Sequence, residues 1–206
     1  MHRRSADFAI TFSNVPLLNL RFEFNTHHDL LADPAFRALF GPSAIVQPLQ
    51  TPFLLWTGMP GAFLSLLLQR AFSGIEAYVV GAAHISLSGL DPESFKKESA
   101  RLANPFALGG RGVAENYYNR VPALASSSYS LKLHSADLWH RTTRLYADVR
   151  NPVFHGYEVG AECVGGVFNV FEHLADLYRW IDSWCDPESV VHGAAQSFSP
   201  RPRGAA

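Results

Sequence analysis

The chain has 206 residues, 48% of them apolar and only 17% charged, with a formal net charge of −1. That balance excludes an intrinsically disordered polymer and supplies no global attraction to nucleic acid or to an anionic membrane. Two cysteines, Cys163 and Cys185, set aside a disulfide scaffold and fit a reducing cytoplasm.

The start, Met1-His2-Arg3-Arg4, is basic, but Asp7, Asn14 and Asn19 interrupt any signal-peptide core. Phe8, Ile10 and Phe12 alternate, as do Leu18, Leu20, Phe22 and Phe24, with Asn14 and Pro16 between the runs. Period-two alternation around a turn signal predicts a short β-hairpin. Asp33-Pro34 offers an N-cap and a first-turn proline for a short helix that Gly41-Pro42 closes. Pro48, Pro52, Gly58 and Pro60 make the next stretch a connector, so residues 1–58 read as an N-terminal extension.

From Gly61 the pattern turns helical. Leu64, Leu68, Ala71, Ile75, Val79 and Ala82 recur at spacings of three and four, predicting a long helix over 61–87. Its most apolar run, Phe63 to Leu68, meets Gln69 and Arg70 too soon to span a bilayer, and the protein is expected to be soluble and cytoplasmic. Asp91-Pro92-Glu93 starts a shorter helix through about Ala103. Residues 104–128, rich in glycine, proline and serine, are expected to be a long loop with room for one helical turn at Glu115 to Arg120. Leu138, Thr142, Leu145 and Val149 mark a helix over roughly 130–150. Val164, Val167, Phe171, Leu174, Tyr178, Ile181 and Cys185 mark the last. The expected fold class is mainly α: an up-and-down helical bundle over 59–186, with the mixed extension before it and a frayed tail over 187–206.

The chemistry concentrates in Arg150-Asn151-Pro152-Val153-Phe154-His155, followed by Gly156. Proline disfavours helical geometry in the residue before it, so the preceding helix is expected to end near Arg150. Arg150, Asn151 and His155 would then cluster at a helix end. A histidine with a reference pKa of about 6.5 takes or gives a proton near neutrality. An always-charged, fork-shaped arginine holds a phosphate and its transition-state charge, and an asparagine orients either group. Those residues suit cleavage of RNA by its own 2′-hydroxyl, a reaction that requires no metal or other cofactor. An arginine five positions before a histidine is expected by chance about 0.6 times in such a chain, so the specificity lies in the adjoining asparagine, the glycine and the helix junction.

Residues 145–156, Leu-Tyr-Ala-Asp-Val-Arg-Asn-Pro-Val-Phe-His-Gly, resemble the signature of HEPN domains, whose motif reads arginine, a polar residue, a short gap and histidine. Arg70 to Tyr78, which carries Glu76, resembles an earlier helix of that family, and the likeness covers roughly residues 60–186. It implies a helical bundle and a homodimer with two motifs facing a shared cleft. It also implies a metal-independent endoribonuclease of toxin–antitoxin, defence or RNA-processing type, in which an antitoxin or regulator is a further partner. Other members are non-catalytic modules that bind a nucleotide or a partner protein, and that is the alternative reading. Pro152 and the weakly basic composition depart from the family's typical nucleases.

Each residue also has a plainer role. Arg150, Asn151 and His155 serve equally as cap, turn and packing residues of a helix junction. Glu76 reads either as a solvated or helix-pairing carboxylate or as the partner that orients Arg150 or His155. Arg111, Tyr117, Tyr118 and Arg120 could clamp and stack single-stranded RNA, or pack a loop on the bundle. Gly109-Gly110-Arg111-Gly112 lacks the lysine of a phosphate loop, and His27-His28-Asp29 has no second cluster to complete a metal site.

Overall fold

The computed structural model describes residues 17–40 and 59–185, and every regular element among them is helical. The order is α1 (Leu17–Ala32), α2 (Pro34–Ala38), α3 (Met59–Leu87), α4 (Pro92–Leu102), α5 (113–125), α6 (Leu131–His134), α7 (136–154) and α8 (Val164–Asp182). Asp33 and Asp91 cap α2 and α4 with their carboxylates, each followed by proline in the first turn. Gly41-Pro42, the first arm of the expected hairpin and the tail lie outside the described residues.

The second arm of that hairpin is replaced by α1. Leu18, Leu20, Phe22 and Phe24 alternate in sequence, but only Leu20 and Phe24 are buried, together with Leu31 further on, while Phe22 is 75% exposed. Spacings of four and seven put those three on one helical face, and the alternation is incidental. Phe24 stacks on Phe171 at 5.4 Å and meets Tyr178 at 4.6 Å, so the N-terminal segment shares the core of the bundle. Gly81 of α3 faces Leu17 of α1 closely enough that a Cβ there would displace the leucine side chain.

The centre of the fold is α3. Leu64, Leu68, Phe72, Ile75 and Val79 are wholly buried against α1, α5 and α8. Burying each such side chain contributes about 1.5–3 kcal/mol, so this stripe is a large part of the cohesion of the fold. By length and composition alone Gly61–Leu87 could cross a membrane; in the fold, 61% of its apolar window is covered by neighbouring helices. On α8, Phe171, Leu174, Leu177, Tyr178 and Ile181 supply the opposing face.

The expected loop over 104–128 is largely helical. A 3₁₀ turn at Pro105–Leu108 is followed by α5, whose interior is a π turn, Asn116–Arg120. The glycine-rich turn before it is latched by Asn116, whose Oδ1 accepts from the Gly110 amide at 2.8 Å. Periodicity fails there because a π turn breaks the 3.6-residue repeat.

Candidate functional site

Pro152 does not end its helix. The backbone widens into a π turn over Tyr146–Arg150, with the Asn151 amide donating to the Tyr146 carbonyl, and the helix runs on to Phe154. A proline ring clashes with the carbonyl four residues back and leaves a helical acceptor without its N–H; the wider turn relieves both. The same device occurs in α5, where the π turn over Asn116–Arg120 precedes Pro122. Each π turn rotates the downstream part of its helix by roughly 100° relative to a plain α-helix, and in α7 the last residue of the turn, Arg150, meets Glu76 of α3.

The helix closes at His155. Gly156 adopts φ +89°, its amide donates to Val153 O at 3.3 Å, and the Tyr157 amide donates to Pro152 O at 3.1 Å. That pairing is the usual glycine-terminated helix end. Two side chains of α3 fasten it: Gln69 donates to Val153 O at 3.1 Å, and Ser65 accepts from the Val159 amide at 2.9 Å. The motif is therefore held on the rigid central helix on both sides of its turn.

Arg150 and Glu76 form a two-pronged ion pair. Nε donates to Oε1 at 3.1 Å and Nη2 to Oε2 at 3.3 Å, with the side chains only 13% and 9% exposed. Phe154 covers one face of the guanidinium, its ring centroid 4.0 Å from Cζ. Nη1 makes no hydrogen bond to a described residue, so one arm of the fork is uncommitted. Tyr146 also donates to Glu76 Oε1 at 3.1 Å, and Tyr118 lies 2.6 Å behind Tyr146, hydroxyl to hydroxyl. Burial pushes the Glu76 carboxyl above its ordinary range, while the charge and hydrogen bonds of Arg150, and then Tyr146, pull it back. Burial also raises both tyrosines far above the ordinary phenol value, so they remain donors.

His155 is exposed, and its ring makes no hydrogen bond to a described residue. Asn151 is half-exposed, with its side chain likewise uncommitted. The fold thus brings Glu76 and Arg150 into contact and leaves the imidazole free at the end of the same helix. Glu76 is not the solvated carboxylate that its sequence position allowed.

The four residues read as an RNA clamp are divided between surface and interior. Arg111 and Arg120 are exposed, with Arg120 Nε 3.8 Å from Glu115. Tyr118 is wholly buried and Tyr117 is 9% exposed, so neither offers a ring face to a base. Tyr117 belongs to the interior of the site: burial, with the Glu76 charge adding, pushes its hydroxyl up to about 12.

Elsewhere, His28 contacts Glu172 at 2.6 Å, and no group of three potential metal ligands occurs among the described residues. Sequence reasoning misses Tyr146, Phe154 and Gln69 as site residues. Tyr146 and Phe154 lie four residues on either side of Arg150, a same-face spacing that the sequence does offer. The chain matches no family model, no curated protein and no solved structure.

Proposed function

We propose that the protein is a HEPN-like, metal-independent endoribonuclease acting as a homodimer. The observation that carries this reading is a guanidinium aimed by a buried carboxylate, with its Nη1 uncommitted, on the helix that ends in an exposed imidazole. The His155 imidazole takes the proton of a ribose 2′-hydroxyl. The 2′-oxygen bonds to phosphorus, and the bond from phosphorus to the 5′-oxygen breaks. A proton passes to that 5′-oxygen, leaving a 2′,3′-cyclic phosphate and a 5′-hydroxyl. Arg150 lies against the phosphate and stabilises the added charge, and Asn151 orients the scissile group. One chain supplies one such histidine, and two proton transfers are served best by a base and an acid, which a facing second copy provides.

A specific observation supports the alternative, a non-catalytic HEPN-like module for a nucleotide or partner protein. Arg150 is paired with Glu76 and covered by Phe154, which leaves it little freedom to follow a reacting phosphate.

One experiment separates the two readings. Purified protein is incubated with mixed RNA in EDTA, beside Arg150→Ala and His155→Ala variants shown to be folded, and their oligomeric states are measured. Cleavage by wild type alone, with cyclic-phosphate ends, is the expected result. Equal intactness of RNA in all three would end the nuclease reading.

A further inference from the structure

Tyr118 and Tyr146 stand on different helices, each inside a π turn, and each π turn is followed by a proline. Both wide turns therefore meet around one buried carboxylate, although each alone forgoes regular α-helical hydrogen bonding. The hydroxyls have no solvent to fall back on. Tyr146 gives its proton to Glu76 Oε1 at 3.1 Å, so its oxygen accepts the Tyr118 proton across 2.6 Å. Oε1 thereby receives two donors, Tyr146 and Arg150 Nε, while Oε2 receives Arg150 Nη2.

We propose that Tyr146, with Tyr118 behind it, is a positioning unit that holds Glu76 as the carboxylate that aims the Arg150 guanidinium. Its bearing on RNA cleavage rests on the nuclease reading above; its bearing on Glu76 does not. A buried carboxylate keeps its charge only while its donors persist. The groups facing it are Arg150 and Tyr146 from α7 and Tyr117 and Tyr118 from α5. On α8, Tyr178 interacts with Tyr118, one step removed, and on α1 Glu23 is paired with Arg70. Removing the Tyr146 hydroxyl takes away a donor that favours ionisation, so Glu76 protonates at a higher pH and releases the fork.

The test compares wild type with Tyr146→Phe and Tyr118→Phe, which keep the buried rings. RNA cleavage is followed from pH 5 to 9, and Glu76 is titrated by carboxyl-carbon NMR. In Tyr146→Phe the acidic limb of the rate profile and the Glu76 titration should both move up by about one pH unit. Tyr118→Phe should move them less, in the same direction, and serves alone if Tyr146→Phe does not fold. If wild type cleaves RNA and the variants only scale the rate equally at every pH, the tyrosines are packing residues and the proposal falls. If wild type does not cleave RNA, the nuclease reading fails and the titration decides: an upward shift sustains the proposal, and an unchanged Glu76 overturns it.

Discussion

Replacing Arg150 by methionine removes the charge while keeping a side chain that can lie against Phe154. Glu76 would then be left 9% exposed with Tyr146 as its donor. Breaking a buried ion pair from one side costs about 3–5 kcal/mol, and the surviving Tyr146 bond places this case near about 3. For a chain of this size that corresponds to a fall in Tm of roughly 10 °C. The loss should depend on pH. Burial already lifts the Glu76 carboxyl above its ordinary range, so its contribution is fully present at lower pH and is lost as pH rises through the raised value. Without Arg150 that value climbs further. The gap between wild type and Arg150→Met should therefore shrink as pH falls through the raised Glu76 titration and reach its full size above both titrations. Between the two titrations it should grow by about 1.4 kcal/mol per pH unit. Urea unfolding followed by circular dichroism at pH 4, 6 and 8 measures it, with Glu76→Gln as a control whose own contribution is flat with pH. A loss below about 1 kcal/mol at pH 8, or a gap independent of pH, would show that the pair does not hold the site together.

Gly156→Ala introduces a Cβ with nothing within 4 Å at φ +89°, so only backbone strain changes; stability should fall by about 1–2 kcal/mol, read by urea unfolding. Pro152→Ala restores an N–H but leaves the residue count of α7 unchanged, so the wide turn should persist. The protein should remain folded with Arg150 still on Glu76, read from an unshifted Arg150 Nε–H signal in NMR. His173, half-buried between Thr142 and Arg141, is held at about 4 by burial and by the Arg141 charge. Its contribution to stability should be present above the ordinary imidazole value and be lost as pH falls toward about 4. His173→Gln should flatten that acid limb in thermal melts.

The sequence allows a good reading of α3, α4 and α8, because their inward residues recur at three and four with capping residues at the ends. It also singles out Glu76 and Arg150, which the fold joins. It misleads at the prolines. Pro122 and Pro152 look like signs of broken helix, because a local rule cannot tell a stopped helix from one that widens and continues. The difference is decided by tertiary contacts, such as Gln69 on the Val153 carbonyl and Tyr146 on Glu76. Leu18–Phe24 misleads for a related reason: a run of seven residues cannot separate period two from period 3.6 when only one face is later covered.

The wide turn in α7 also means that this helix contains one amino acid more than its path between neighbours needs. Leu138 and Thr142 before the turn and Val153 after it all point inward, on two stretches that are out of phase with each other. The surplus sits at exposed Ala147 and Asp148. Excising one of them would splice the stretches into a single uninterrupted spiral of nearly the same reach. The arginine and the histidine would keep their separation along the chain, yet the arginine's angular setting against Glu76 would have lost the turn that creates it. In this bundle the spacing of the motif and its aim are separately encoded, the one by Arg150 to His155 and the other by the five residues that end at Arg150.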